Sequence, residues 1–208
     1  MTELELAVAI PVYNEADGIA EFLGELDAVL ERAVSSHGVV VVDDSSTDDS
    51  VDVLERMGPG LAGGLHVVGS SSNAGHGPTT ARAYRAALDL DPARVAQVDG
   101  DGQFEAEDLV VLLDADARVA TGRRLQRADS RHRRALSALL RVVLWVVFGV
   151  RRRDANCPFR VYDADVLADL LGELPADPLV PHVLLTVLEE RSGVRAAEVP
   201  VRHRVRRG

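Results

Sequence analysis

Asp99 and Asp101 flank a single glycine at the end of an apolar run, and two carboxylates so spaced at a strand end can turn toward one hard cation while Gly100 allows close backbone approach. Mg²⁺ or Mn²⁺ bridging a diphosphate is the chemistry this suits. Asp89/Asp91, Asp114/Asp116 and Asp163/Asp165 share the spacing, yet they lie in or beside helical patterns, where residues two apart do not share a face. Those three pairs read as surface solvation. Asp43 and Asp44 end another apolar run, where carboxylates commonly accept hydrogen bonds from a ribose or a base. The alternative is capping of the following helix by Ser46 or Thr47, with Asp48 and Asp49 near its positive end. Asn73-Ala74-Gly75-His76-Gly77 reads either as a turn or as a place where a phosphate-bearing ligand meets bare backbone. A further feature is basic: 11 Arg and one acid, Asp129, lie between Arg118 and Arg153, a net +10 inside a chain of net charge −10. A solvated helix surface would interleave both signs, so this window reads as a surface for phosphate or another anion.

These groups need a frame that gathers strand ends. Leu6 to Ile10, Val39 to Asp43, Leu65 to Gly69 and Val95 to Asp99 are nearly continuous apolar runs of strand length. Between them Asp17 to Ala33, Asp48 to Met57 and Thr79 to Leu88 repeat apolar residues at helical spacing. Such alternation predicts right-handed crossovers and a parallel sheet, whose ligands bind beyond the carboxyl ends of the strands. Each motif above stands at such an end, as does Tyr13-Asn14-Glu15 after the first run. Downstream, Glu107 to Ala117, Asp163 to Leu171 and Val180 to Arg191 read as helices and Arg195 to Val201 as a final strand. His132 to Gly149 reads as an amphipathic helix, with Leu136, Leu139, Leu140, Val143, Leu144, Val147, Phe148 and Trp145 between clusters of Arg.

Composition sets the outer limits. A chain of 208 residues, 47% of them hydrophobic, can bury a sizeable core and is expected to fold as one domain. Cys157 is the single cysteine, which excludes an internal disulfide, suits a reducing compartment and reads as packing. The acidic start, Met1 to Glu5, lacks the basic region of a signal peptide. Val142 to Val150, the longest nearly uncharged apolar stretch, is far short of the roughly 20 residues a membrane-spanning helix needs. Membrane contact is therefore expected to be peripheral.

Pro11-Val12-Tyr13-Asn14-Glu15, Asp43 to Asp48, Asn73 to Gly77, Asp99-Gly100-Asp101-Gly102-Gln103, Gly122-Arg123-Arg124, Asp154 to Arg160 and Glu198-Val199-Pro200-Val201 occur in the order found in family 2 glycosyltransferases. The chain most resembles the dolichyl-phosphate mannosyltransferase branch and its bacterial polyprenyl-phosphate relatives. The resemblance implies a GT-A fold: an α/β, Rossmann-like, mostly parallel sheet flanked by helices in a single domain over residues 1–208, with an amphipathic interfacial helix at about 132–149. Residues 1–104 would form the nucleotide-sugar half and 105–208 the acceptor half. By the same resemblance Pro11, Tyr13, Asn14, Glu15, Asp43, Asp44, Asn73, Gly75, Asp99, Gly100 and Asp101 would contact the donor. Asp99, Asp101 and Gln103 would hold Mg²⁺ or Mn²⁺, and Arg124, Arg134, Ser137, Arg202 and Arg204 would receive the acceptor phosphate. Catalysis would rest on Asp99, Asp101 and Arg124. Two positions depart from the family pattern: Ser45-Ser46 replaces the usual Gly-Ser, and Arg123 stands where an aromatic or Ser is common.

The implied reaction is inverting transfer of a hexose, mannose or glucose, from a GDP- or UDP-linked donor to polyprenyl or dolichyl phosphate. A phosphate monoester is already largely anionic at neutral pH, so no general base is needed. The expected partners are that donor, that lipid and a membrane surface, not nucleic acid, and the expected location is cytoplasmic and peripheral on the inner face of the membrane. Two other readings stand beside this one. A soluble family 2 transferase with a sugar or small-metabolite acceptor would need a base, for which Asp154 is the candidate; a non-catalytic subunit of a membrane glycosylation complex would be expected to lack the metal carboxylates.

Overall fold

A computed structural model of the chain describes residues 4–125 and 131–204, and of residues 131–136 the backbone alone. The described residues form one seven-stranded sheet in the order β3-β2-β1-β4-β6-β5-β7, comprising β1 (Leu4–Val12), β2 (His37–Asp43), β3 (Leu65–Gly69), β4 (Pro92–Gln97), β5 (Val119–Arg124), β6 (Arg160–Asp163) and β7 (Ala196–Val201). β1 pairs in parallel with β2 and β4, β2 with β3, and β5 with β7. Only β6 runs against its neighbours, β4 and β5.

Strand alternation sorts the core into two layers. Leu6, Val8, Ile10, Val39 and Val41 face the helices α1 (Ile19–Ala33), α2 (Ser50–Met57) and α4 (Glu107–Leu113), meeting Phe22, Leu23, Leu54 and Leu109. The opposite face carries Ala7, Ala9, Val40 and Val42 and packs on α3 (His76–Leu88), α6 (Ala164–Gly172) and α7 (Pro181–Ser192). The small Ala7 and Ala9 let α3 lie close, with Ala83, Tyr84 and Ala87 in the layer. Burial on both faces explains why the central strands read as unbroken apolar runs.

β5 and β6 escaped the sequence reading. β5 ends in Arg123 and Arg124, and β6 is four residues long and opens with Arg160. Arg160 is nevertheless fully buried. Its guanidinium donates to Glu189 Oε1 at 3.0 Å, the Tyr162 hydroxyl at 2.9 Å, Thr186 Oγ1 at 2.9 Å and the carbonyls of Ala155 and Cys157 at 2.7 and 2.8 Å. A buried charge is tolerated when paired and hydrogen-bonded in this way, and no hydropathy pattern marks such a strand.

The amphipathic segment forms α5 (Arg131–Phe148). Leu144 is 3% exposed and packs with Val150, Ala155, Val183 and Val187. Leu139, Leu140, Val142, Val143, Trp145, Val146, Val147 and Phe148 are exposed. Among the described residues no helix is long and apolar enough to cross a membrane.

Candidate active site

The loops beyond the carboxyl ends of β1, β2 and β3 are stitched together by side chains from the segment after β2. Ser46 Oγ accepts the Asn14 N–H at 2.9 Å, Ser50 Oγ accepts that of Glu15 at 2.9 Å, and Asp48 accepts that of Ala16 at 3.1 Å. Asn14 Oδ1 in return accepts the Thr47 N–H at 2.8 Å. Ser46 and Thr47 are thus spent on the neighbouring loop, and Asp49, the N-cap of α2, makes no side-chain capping hydrogen bond. Asn14 and Ser45 hold φ of 54° and 63° in this clasp. That left-handed conformation costs most L-residues about 1–2 kcal/mol and costs glycine none, which accounts for the glycine the family pattern places at position 45. Asp44 is buried, and its two carboxylate oxygens accept the N–H groups of Ala74 and Gly75, both at 2.8 Å.

These loops enclose a cavity of about 530 Å³. Pro11, Val12, Tyr13, Asn14 and Glu15 line it from the end of β1 and the loop after it, Asp44 from just beyond β2, Asn73 and Gly75 from the loop before α3, His76 and Thr79 from the start of α3, and Asp99, Gly100 and Asp101 from just beyond β4. Asp99 is 23% exposed at its side chain. Burial pushes its carboxyl up, His76 opposes that, the charge of Asp101 adds to it, and the result is about 6. Gln97 Nε2 donates to Asp99 Oδ1 at 3.0 Å, and His76 Nε2 lies 3.9 Å from the same oxygen. Asp101 Oδ1 accepts the Gln103 N–H at 3.0 Å. Two carboxylates facing one cavity, the charge of Asp101 raising the proton affinity of Asp99, with no Lys or Arg paired to either among the described residues, fit a hard divalent cation. Gly100 has a packing reason as well, since a Cβ there would meet Val12 Cγ2 at 2.9 Å.

A second cavity of about 170 Å³ shares His76 and Asp99 with the first and adds Arg124, Asn156, Pro158, Leu179, Val180, Pro181 and His182. Arg124 grips Asp154 with both arms, Nε to Oδ2 at 2.8 Å and Nη2 to Oδ1 at 2.9 Å, and Nη2 also reaches the Asn156 carbonyl at 3.3 Å. Arg124 Nη1 has no hydrogen-bond acceptor among the described residues. The rim is apolar, with Leu179 87% exposed. Cys157, beneath it, is fully buried, and desolvation pushes its thiol up to about 12, as expected of a packing residue.

Of the expected donor residues, all but Asp43 line the larger cavity; Asp43 turns back to accept the Ser46 N–H at 3.1 Å. Arg124 lines the smaller one, beside Asp99. Gln103 lines neither, but its N–H holds Asp101 and its Nε2 donates to the Arg204 carbonyl at 3.3 Å. Arg202 and Arg204 are drawn toward that loop and paired there with acids, Arg202 with Asp108 at 2.8 Å and Arg204 with Glu105. Ser137 is half-buried on α5 and lines neither cavity, while the Arg134 side chain lies outside the described residues. His76, Thr79, Gln97, Asn156 and His182 were not singled out from sequence. For Gln97 a signal existed, an amide inside the apolar run Val95 to Asp99; for His182 none did.

Comparison with known proteins places this geometry. The undecaprenyl-phosphate 4-deoxy-4-formamido-L-arabinose transferase of Klebsiella pneumoniae subsp. pneumoniae is 27% identical over 202 residues, 96% of this chain and 59% of that protein. The enzyme of that name from Pseudomonas syringae pv. syringae is 29% identical over 180 residues, 85% and 52% of the respective chains. This chain thus spans little more than half the length of these curated relatives. Among solved structures, residues 1–349 of S. aureus TarS with UDP-GlcNAc superpose at a TM-score of 0.68, with 19% identity over 99% of this chain and 60% of that one. Glucosyl-3-phosphoglycerate synthase from Mycobacterium tuberculosis, crystallised with Mn²⁺, UDP and glucosyl-3-phosphoglycerate, superposes at 0.65, with 20% identity over 99% of this chain and 72% of that one. These likenesses establish the GT-A fold expected from sequence. The profile described as glycosyl transferase family 2 matches residues 7–169, well over half of the sequence, and the chain belongs to that family.

Proposed function

We propose that this chain is the catalytic domain of an inverting glycosyltransferase that moves a hexose, mannose or glucose, from a nucleoside diphosphate donor to a polyprenyl phosphate. The observation that carries the reading is the Arg124–Asp154 pair beside Asp99. Asp154 was the candidate base for a hydroxyl acceptor, and both its oxygens are bound by Arg124. A phosphate acceptor needs no base, and Arg124 Nη1 offers it a donor. The named substrates of the Klebsiella and Pseudomonas relatives support a polyprenyl phosphate acceptor, and the exposed apolar face of α5 supports peripheral attachment to a membrane. On this reading the face involved is the cytoplasmic one.

In this assignment residues 1–104 hold the donor and 105–208 the acceptor. Pro11, Tyr13, Asn14 and Glu15 enclose the nucleoside, while Asp44 holds the Asn73–Gly75 loop in place through the N–H groups of Ala74 and Gly75. Asp99 and Asp101, with Gln103 fixing Asp101, would hold Mg²⁺ or Mn²⁺, which when bound neutralises the charge building on the leaving diphosphate. Mn²⁺ and UDP in the mycobacterial structure support that choice. Arg124 orients the acceptor phosphate in the smaller cavity for in-line attack on the anomeric carbon, and a single displacement inverts the sugar configuration.

The test is transfer from UDP- and GDP-linked mannose, glucose and 4-deoxy-4-formamido-L-arabinose to undecaprenyl phosphate, with and without chelator. Wild-type turnover should vanish in excess EDTA and in Asp101→Asn, while Arg124→Lys should raise the apparent KM for the lipid by about tenfold and leave that for the donor unchanged. Transfer to a soluble sugar with none to the lipid phosphate would overturn the assignment.

A further inference from the structure

Gln97 closes β4 as a fully buried amide. Its Nε2 lies 3.0 Å from Asp99 Oδ1, and its Oε1 lies 2.9 Å from His182 Nε2. A carboxylate only accepts, so the amide nitrogen must face Asp99 and the amide oxygen His182, whose Nε2 must then carry the proton. Burial, reinforced by the charge of Arg160, holds the His182 ring neutral, so Nδ1 is bare. Every proton in this line points toward Asp99.

The line is anchored at its far end. The His182 carbonyl accepts Thr186 Oγ1 at 2.8 Å, Thr186 Oγ1 accepts Arg160 Nη2 at 2.9 Å, and Arg160 is paired with Glu189 at 3.0 Å, all of it buried. At the near end both contacts, from Gln97 and from His76, fall on Asp99 Oδ1. Oδ2 has no hydrogen-bond donor among the described residues.

We propose that Gln97 and His182 are positioning residues for Asp99: His182 fixes the Gln97 carboxamide, and Gln97 holds Asp99 by Oδ1 so that Oδ2 is left for the divalent cation. Supporting groups of this kind fix ligand orientation and typically change metal affinity or activity by 10- to 100-fold when lost. The proposal rests on Asp99 as a cation ligand and adds which residues set its geometry, reaching from the first turn of α7 to the end of β4.

Mn²⁺ binding to the full chain in the presence of UDP, and in parallel GDP, followed by electron paramagnetic resonance, tests this without turnover. His182→Leu and Gln97→Leu should each weaken Mn²⁺ binding by roughly tenfold. His182→Gln, whose amide N–H can again donate to Gln97 Oε1, should return to within about threefold of wild type. Equal weakening by Leu and Gln at position 182, or wild-type binding in folded His182→Leu, overturns the proposal. Should the leucine variants not fold, ¹⁵N NMR of the wild-type histidines decides: His182 locked as the Nε2–H tautomer is the expected result, and the Nδ1–H tautomer overturns it. Absence of Mn²⁺ binding in the wild type sinks the cation reading and this proposal together, whereas intact Mn²⁺ effects with no transfer to lipid phosphate sink the acceptor reading alone.

Discussion

Asp99 is partly buried where the two cavities meet and faces the charge of Asp101, so ionising it works against the fold. Its carboxyl is raised to about 6 from the ordinary 3.8. A folded-state value above the unfolded one means that the folded protein binds the proton more tightly between those limits. The cost of the charge is therefore fully present above about pH 6 and disappears as pH falls toward 4. Asp99→Asn removes the charge and keeps an oxygen for the Gln97 N–H. In chelator at pH 7.5 the variant should be more stable than wild type by on the order of 2 kcal/mol, a rise in Tm of roughly 5 °C. The difference should shrink as the pH approaches 4, while transfer activity is lost throughout. Scanning calorimetry at both pH values checks this, and a variant no more stable than wild type at pH 7.5 contradicts it. Arg124 illustrates the opposite case. Removing it takes a bidentate ion pair from the buried Asp154 carboxylate, so Arg124→Ala is expected to destabilise the fold as well as the site, and Arg124→Lys, which keeps the charge, is the cleaner probe.

At the scale of elements, Leu144 is the one buried residue among the described side chains of α5, and the large apolar side chains from Leu139 to Phe148 around it are exposed. Leu144 enters the cluster with Val150, Ala155, Val183 and Val187, whereas its neighbour Trp145 is 53% exposed. Leu144→Ser should cost about 3 kcal/mol through lost burial and a cavity, and Trp145→Ser less than about 1 kcal/mol. Urea denaturation of the two variants separates them, and equal losses would mean that Trp145 is core. The period of apolar residues made this helix legible from sequence, but not which of them are buried, because interfacial and core helices share that period. The central strands and the strand-end motifs were legible for a related reason, since burial on both faces leaves runs of Val, Ala and Ile that stop abruptly at polar loops. β5 and β6 were not: they carry Arg124 and Arg160, whose buried pairing with Asp154 and Glu189 depends on residues about 30 positions away. The Asp43–Asp44 pair was legible as a site but not its division of labour, which follows from loops closing on β2. Ser45 is the converse case, a departure from the family pattern whose strain shows only in its backbone angle.

Over the whole molecule, the count of +10 between Arg118 and Arg153 overstates the free basic surface. Arg118 is paired with Asp163 and Asp165, Arg124 with Asp154 and Arg152 with Glu189, all acids outside that window. Arg141, Arg151 and Arg153 are exposed, and they flank the apolar stretch Val142 to Phe148 on α5. Basic side chains bordering an exposed apolar face suit a surface that is anionic outside and apolar beneath, which is a membrane interface. Each exposed Arg near such a surface is worth about 1 kcal/mol and is screened over a Debye length of roughly 10 Å at 0.1 M salt, whereas apolar insertion persists in salt. Sedimentation with vesicles containing anionic lipid should therefore resolve two fractions. Arg141→Glu with Arg151→Glu should remove most of the salt-sensitive binding, and Trp145→Ser with Val146→Ser most of the salt-resistant binding, both in folded protein. Arg152 must be spared, because its guanidinium holds Glu189 at 3.0 Å and Thr121 at 2.9 Å inside the structure. Failure of the wild-type chain to bind such vesicles at low salt would remove α5 as its anchor, and the lipid would then have to reach Arg124 by another part of the protein.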